Sequence, residues 1–362
     1  MIEPVVIIGG GVAGAAAAIH LARADVPVVL LERTVGAHVK VCGEFLSNVS
    51  LRELAALGID VARLGAVPVN EVRIDGRNPG RSIKLPFPAA SLTRERLDQA
   101  LLSVAEAAGV EVRRGMPARG IAPTGHSWSV ETSRGLLRAS EVVVATGKVD
   151  LRGMPRHARR LQPLVGLKRY GAAQDGKRVT LALFPHGYCG LQPVEDGRTN
   201  VCLVVTADRL KALGGRPEKV FDEIVRRSPH LEPSLGTASD PVVAVGRVPY
   251  GFVRRSTNGA YFVGDQAAVI PSYCGEGIGI ALSSGRSVAA AIAEGVSAQA
   301  FQADFARRVG PRVRNATFVS RALCTRAGRG AAQLVAGAMP MVVRKMAVAT
   351  RTPSEPAYNS GN

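Results

Sequence analysis

Residues 5–33, VVIIGGGVAGAAAAIHLARADVPVVLLER, decide the fold. Val5–Ile8 is an apolar run too short for a helix and reads as a buried strand. Gly9, Gly11 and Gly14 follow at G-x-G-x-x-G spacing, and an Ala-rich segment of good helix propensity continues through Ala22. Val28–Leu31 is a second apolar run, closed by Glu32. The three glycines serve different ends. Gly9 permits a tight turn, Gly11 admits a pyrophosphate close to the backbone, and Gly14 lets the helix pack on the strands. The start of the helix offers unpaired N–H groups and a positive dipole end to phosphates. Glu32 is placed to accept hydrogen bonds from ribose hydroxyls. An acid there disfavours a 2′-phosphate, so the stretch reads as a site for FAD or NAD rather than NADP, with those two left open.

The rest of the chain is consistent with an enzyme built around that unit. At 362 residues it can bury a large core, and two joined domains are the natural prior. The N-terminal apolar segment is interrupted by glycines and lacks a basic lead, so no signal peptide is read, and no run is apolar enough to span a bilayer. Five cysteines without framework spacing suggest reduced thiols and a cytoplasmic protein, and no metal-ligand spacing appears. The formal net charge is +17, with basic clusters at Arg156–Arg160 and from Arg307 to Arg351, the latter without a carboxylate. No nucleic-acid recognition motif accompanies this charge, so no nucleic-acid partner is expected. A solvated face, an anionic substrate, an acidic carrier protein and a membrane surface stay open as its purpose.

Past Glu32, a loop over 34–47 contains Lys40, Cys42, Gly43 and Glu44, followed by a helix over 51–57. Val72–Ile74 and Ser82–Leu85 read as a hairpin. Leu92–Asp98 opens a helix that Gly109 caps, and short strands lead to Ala145-Thr146-Gly147, an ending that suits close approach to a ligand. From Leu151 to Arg255 the chain is β-rich, with one helix at Pro217–Arg227. Tyr261–Val263 is a buried strand running into Gly264-Asp265, and Gly275-Glu276-Gly277-Ile278-Gly279 opens a helix to about Ala293. Helices over 301–309 and 312–323 follow, then an apolar segment at 333–348 broken by Pro340.

Four motifs in this order resemble the flavoprotein superfamily of geranylgeranyl reductases and p-hydroxybenzoate hydroxylase-type monooxygenases. They are the fingerprint through Glu32-Arg33, Lys40-x-Cys42-Gly43-Glu44, Leu92-x-Arg94-x-x-Leu97-Asp98, and Gly264-Asp265 with Gly275-Glu276-Gly277-Ile278. The Lys-x-Cys-Gly loop, the Gly-Glu-Gly-Ile run and Ser283-Ser284-Gly285 look most like the geranylgeranyl reductase branch, as does Gly187-Tyr188 with Pro193. The resemblance implies an α/β fold: a Rossmann-like FAD-binding domain of the p-hydroxybenzoate hydroxylase type, an interleaved antiparallel-β substrate domain and a C-terminal helical segment. The FAD domain would span residues 1–75, 92–150 and 256–300, the substrate domain 76–91 and 151–255, and the helices 301–351, with a disordered tail over 352–362.

The resemblance also implies roles. Gly9, Gly11, Gly14, Glu32 and Arg33 would hold the pyrophosphate and adenosine end. Cys42, Gly43 and Arg94 would contact the ribityl and pyrophosphate region, and the backbone of Ala118 would face the adenine. Gly264 leads to Asp265, which would hydrogen-bond the ribityl or pyrophosphate. The amides around Gly277, Ile278 and Gly279 would face the flavin N1/O2 edge. Two departures matter. The Asp-Gly motif of hydroxylases is replaced by Lys148-Val149-Asp150-Leu151-Arg152, which puts NAD(P)H as a transient reductant in doubt and leaves room for a separate reductase. The Trp-x-Trp-x-Ile-Pro signature of halogenases is absent, Trp128 being the only tryptophan, which argues against halogenation.

Catalytic candidates are few, since a flavin carries the hard chemistry itself. His186 and Tyr188 fall on the substrate sheet as a possible proton donor or phenol-binding group. Glu44 would be an acid–base group if burial raised its pKa. Cys42 and Cys274 read as inert thiols, and Glu276 as a helix cap. The expected activity is FAD-dependent C=C reduction or dehydrogenation of a hydrophobic isoprenoid or polyketide-like molecule. The alternatives are a monooxygenase using O2 and NAD(P)H on an aromatic or polyketide substrate, and a non-catalytic dinucleotide-binding or membrane-associated protein.

Overall fold

The computed structural model describes residues 3–156, 163–173, 176–235 and 241–351. The expected tail over 352–362 and most of the Arg156–Arg160 cluster lie outside the described residues. The opening unit forms as its pattern requires: β1 (Val5–Ile8), α1 (Val12–Ala22) and β2 (Val28–Glu32). Next come β3 (Phe45–Leu46), α2 (Asn48–Ala56), β4 (Val67–Asp75), β5 (Ser82–Ser91), α3 (Arg94–Ala107) and β6 (Glu111–Arg114). Thr93 caps α3 by accepting from Arg96 N–H. A three-stranded antiparallel sheet, β7 (Ala118–Thr124), β8 (Ser127–Thr132) and β9 (Gly135–Ala139), leads to β10 (Glu141–Val144).

The β-rich half holds β11 (Leu164–Gly171), β12 (Arg178–Phe184), β13 (Gly187–Val194) and β14 (Arg198–Thr206). After them come α4 (Ala207–Ala212), α5 (Pro217–Arg227), α6 (Glu232–Leu235) and β15 (Val243–Val248). The chain then returns through β16 (Tyr261–Phe262) to α7 (Gly277–Ala293), α8 (Ala298–Leu323), α9 (Arg326–Ala338) and α10 (Pro340–Ala349).

The first sheet is parallel, in the order β16-β10-β1-β2-β6. Successive side chains of a strand face opposite ways, and both faces are covered. Ile7, Leu30 and Val143 pack with α1, α3, α7 and α8, whereas Val6, Ile8, Val29 and Val144 pack on Trp128 and Val130 of the three-stranded sheet. Burial on both sides explains why these strands are continuous apolar runs. Strand order reverses between β1 and β10, which opens a crevice at their C-terminal ends.

The larger sheet has eight strands, ordered β15-β11-β14-β13-β12-β4-β5-β3. One face, with Leu167, Phe184, Leu191 and Leu203, is sealed by Val220, Phe221 and Ile224 of α5. The other carries Leu164, Leu183, Tyr188 and Val204 and turns toward Tyr250, Val269 and Leu323.

Two expectations are corrected. Residues 67–75 form β4, which pairs with β5 and with β12, so they belong to the large sheet and not to the FAD domain. A boundary at residue 75 falls between the two strands of one hairpin. The large sheet is mainly antiparallel as expected, with β4 and β12 its parallel pair. Pro311 does not divide α8: Phe301, Phe305, Val309, Val313 and Ala316 form one buried stripe, and its packing outweighs the hydrogen bond that proline removes.

Candidate functional site

The β1–α1 turn is shaped for an anion. Gly9 has φ +112°, and a Cβ there would lie 2.4 Å from Ala145 O, while one on Gly14 would lie 1.9 Å from Gly9 O. Neither position has room for any other residue. Gly11 caps α1 with no side chain bonded to the first-turn amides. A Cβ on Gly11 would sit 3.5 Å from Arg94 Nη2 and 3.9 Å from Lys40 Nζ. Two cations therefore stand over an open helix start, the arrangement that a pyrophosphate requires. Asp98 fixes both of them: it accepts from Arg94 Nε at 2.9 Å and Nη2 at 3.0 Å, and from Lys40 Nζ at 2.7 Å. Burial works against these charges, yet the pairing prevails; it holds the Asp98 carboxyl below and the Arg94 guanidinium above its ordinary value.

Glu32 closes the far end of this cleft. Its Oε2 accepts from Gly10 N–H at 2.9 Å and its Oε1 from Thr34 N–H at 2.9 Å. Oε1 accepts a second hydrogen bond from Thr34 Oγ1 at 2.8 Å, whereas Oε2 keeps a second lone pair, and Glu32 lines the cleft with Gly10, Thr34, His38, Lys40 and Arg94. Met116 N–H donates to Glu32 O at 2.9 Å, which lays the segment entering β7, and so Ala118, beside the end of β2. Arg33 is exposed. On the β10 side, Asp265 lies 3.3 Å from Lys148 Nζ. The Gln266 amide donates to Gly147 O and Val149 O, both at 2.9 Å, tying that loop to the Gly264 turn. The residues present thus fit the ADP half of FAD.

The loop at Cys42–Glu44 is clamped against the large sheet. Asn200 Nδ2 donates to Cys42 O at 3.0 Å and Gln192 Nε2 to Gly43 O at 2.5 Å. Glu44, with φ +58° and 1% exposure, binds Lys168 Nζ at 2.5 Å and accepts from Tyr170 OH at 3.0 Å and from Arg94 N–H at 2.9 Å. Burial pushes its carboxyl up, while Lys168 and these donors stabilise the charged form. Glu44 is thus a buried joint of the large sheet, α3 and the loop. Burial raises its pKa as an acid–base role would need, while its side chain does not line the cleft of Glu32 and Arg94.

Gly277, Ile278 and Gly279 form the first turn of α7, and Gly264 N–H donates to Ser284 Oγ at 2.9 Å, fixing the Asp265 turn against the same helix. Glu276, fully buried, folds its carboxylate over Gly279, where a Cβ would meet Oε1 at 2.5 Å. The residue that holds it there carries no signal in any motif of the chain. Arg351, past α10, reaches Glu276 Oε2 at 2.7 Å, Cys274 O at 2.5 Å and Gly275 O at 3.3 Å. Cys274 is buried and its thiol is pushed up to about 12, so it stays protonated.

The inner face of the large sheet is graded. Register places Tyr170, Asn200 and Gln192 in one row, Lys168, Cys202 and Gly190 in the next, and Gly166, Val204 and Tyr188 in the third. The polar rows meet the Cys42 loop, and the apolar one meets α8 and the segment around Val269 and Tyr273 that leads into Cys274. Tyr188 is 1% exposed; its OH is 3.3 Å from Ser320 Oγ and its ring lies edge-on to Tyr273 at 5.9 Å. Burial raises the phenol far above its usual pKa. His186, by contrast, is exposed at the tip of the β12–β13 hairpin with φ +65°. It is a turn residue, which corrects its candidacy as a proton donor from the sheet.

Relatives of known activity share this architecture. Residues 6–156 match the pyridine nucleotide-disulphide oxidoreductase family. A 2-heptyl-3-hydroxy-4(1H)-quinolone synthase from Mycobacteroides abscessus is 30% identical over 80% of this chain and 81% of its own. The chain belongs to the flavoprotein superfamily of geranylgeranyl reductases and p-hydroxybenzoate hydroxylase-type monooxygenases. It is an FAD-dependent oxidoreductase. A flavin-dependent halogenase of Armillaria mellea is 26% identical over 81% of the chain, which spans 65% of that protein's length. Digeranylgeranylglycerophospholipid reductase 2 of Methanopyrus kandleri is 28% identical over 84% of the chain and 80% of its own. Among solved structures, a flavoprotein/dehydrogenase from Cytophaga hutchinsonii superposes with a TM-score of 0.78 at 17% identity, covering 96% of this chain and 92% of that one. That likeness establishes the fold of this flavoprotein.

Proposed function

We propose that this flavoprotein reduces a carbon–carbon double bond of a hydrophobic small molecule, isoprenoid or polyketide-like, or catalyses the reverse dehydrogenation. The observation that carries the reading is Tyr188: a buried phenol on the apolar row of the inner face, against the segment that becomes the Gly-Glu-Gly-Ile loop. FAD, when bound, supplies or accepts the hydride. Gly11, Lys40 and Arg94 would hold its pyrophosphate, and the amides from Gly277 to Gly279 would face its N1/O2 edge. The apolar row receives the substrate and excludes water. Burial favours the protonated phenol of Tyr188, which gives its proton to the carbon that does not receive hydride; only the phenolate left by that step can take a proton back in the reverse direction. The likeness to the Methanopyrus reductase supports the reductive direction.

The test is anaerobic: the dithionite-reduced holoenzyme is mixed with polyunsaturated isoprenoids. Flavin reoxidation without oxygen, with a product richer by two hydrogens, supports the proposal. Tyr188→Phe is then expected to slow that step by roughly 100-fold or more while flavin content holds, the size of a general-acid contribution. A second reading, oxygen insertion, is favoured by the quinolone synthase likeness. Reoxidation that needs O2, with label from ¹⁸O₂ in the product, would decide for it.

A further inference from the structure

The C-terminal helices carry two features that the flavin site does not use. On α9, Ala327, Gly330, Ala331, Leu334, Gly337 and Ala338 recur at intervals of three and four and are all exposed. This face runs on into Met339 and Met341, and Leu334 is 71% and Met341 59% exposed. A contiguous apolar face of this kind marks a contact surface. The second feature is charge: Val309–Thr350 carries seven Arg and Lys residues and no carboxylate. Arg326, Arg344 and Lys345, which border the apolar face, are exposed.

We propose that α9 and α10 dock this protein on the surface of an anionic phospholipid bilayer. Leu334, Met339 and Met341 would enter the acyl region and Arg326, Arg344 and Lys345 would meet the headgroups. A helix with Leu and Met on one side and Lys and Arg beside it lies in the interface plane. No helix among the described residues is long and apolar enough to cross a membrane, so the contact is peripheral. A second copy of the chain is a poor occupant, since it would bring the same excess of cations. Exposed Leu and Met side chains with Arg and Lys beside them match an acyl layer beneath anionic headgroups. Exposure and charge alone carry this docking, which is independent of the reaction proposed above.

The test is co-sedimentation of the full-length holoenzyme with extruded vesicles at low ionic strength. Binding is expected to equimolar phosphatidylglycerol and phosphatidylcholine, to fall with added salt, and to be weak on phosphatidylcholine alone. R344Q/K345Q should weaken it by about fivefold per charge removed. L334S/M341S should weaken it at high salt as well as low. Both variants leave the flavin site untouched, so an unchanged flavin spectrum and circular dichroism confirm that they fold. Failure to sediment with the anionic vesicles overturns the proposal, as does binding that neither pair of substitutions changes. Retention by a soluble acidic carrier domain but not by vesicles would overturn it in favour of a protein partner.

Discussion

At the scale of single residues, burial decides which charges matter. His20, in the last turn of α1, is lowered to about 4 by burial together with Arg23 and Arg286. The folded state therefore binds a proton on His20 less readily than the unfolded chain does. Its contribution to stability is present above the ordinary value of 6.5 and is lost as the pH falls from there toward about 4. His20→Gln should flatten that part of the profile. Urea unfolding of both proteins at about pH 7 and about pH 5 checks it; parallel slopes would refute the assignment. The same scale shows what the sequence could not convey. Glu44 stood out in its motif, but its partners Lys168 and Tyr170 lie 124 and 126 residues away, on a strand with no distinguishing pattern. Only the register of the large sheet brings them together. His186 and Tyr188 looked equivalent in sequence, and one positive-φ turn separates their environments.

Among elements, the strand–turn–helix unit was the most legible, because the three glycines answer to local geometry. Gly14 faces backbone and Gly11 faces the cleft. Gly14→Ala should thus cost about 1–3 kcal/mol of stability through overpacking. Gly11→Ala should leave the unfolding curve nearly unchanged but weaken FAD binding about tenfold. Parallel urea and flavin-fluorescence titrations separate the two; equal losses of stability would mean that Gly11 also serves packing. The elements that were misread depend on distant partners. The β4 strand was assigned to the wrong domain since its pairing with β12 spans about a hundred residues of chain. The single helix α8 was split at Pro311 because only its buried stripe keeps it whole.

Over the whole molecule, the last described residue completes the first site. Arg351 reaches back 75 residues to Glu276 and fixes the loop that opens α7. Arg351→Gln would remove the cation of a buried ion pair, a loss on the order of 3–5 kcal/mol, and should also loosen FAD. An unfolding change under about 1 kcal/mol would show the contact to be incidental. This coupling is a reason to probe α9 and α10 by point substitution rather than deletion. Everything else depends on the flavin. The most direct measurement is the visible spectrum of the purified protein with the FAD released on denaturation. Flavin absorption bands and FAD in equal proportion to protein are expected, with occupancy falling in Gly11→Ala and Arg351→Gln. A colourless protein that cannot be reconstituted with FAD would contradict the assignment.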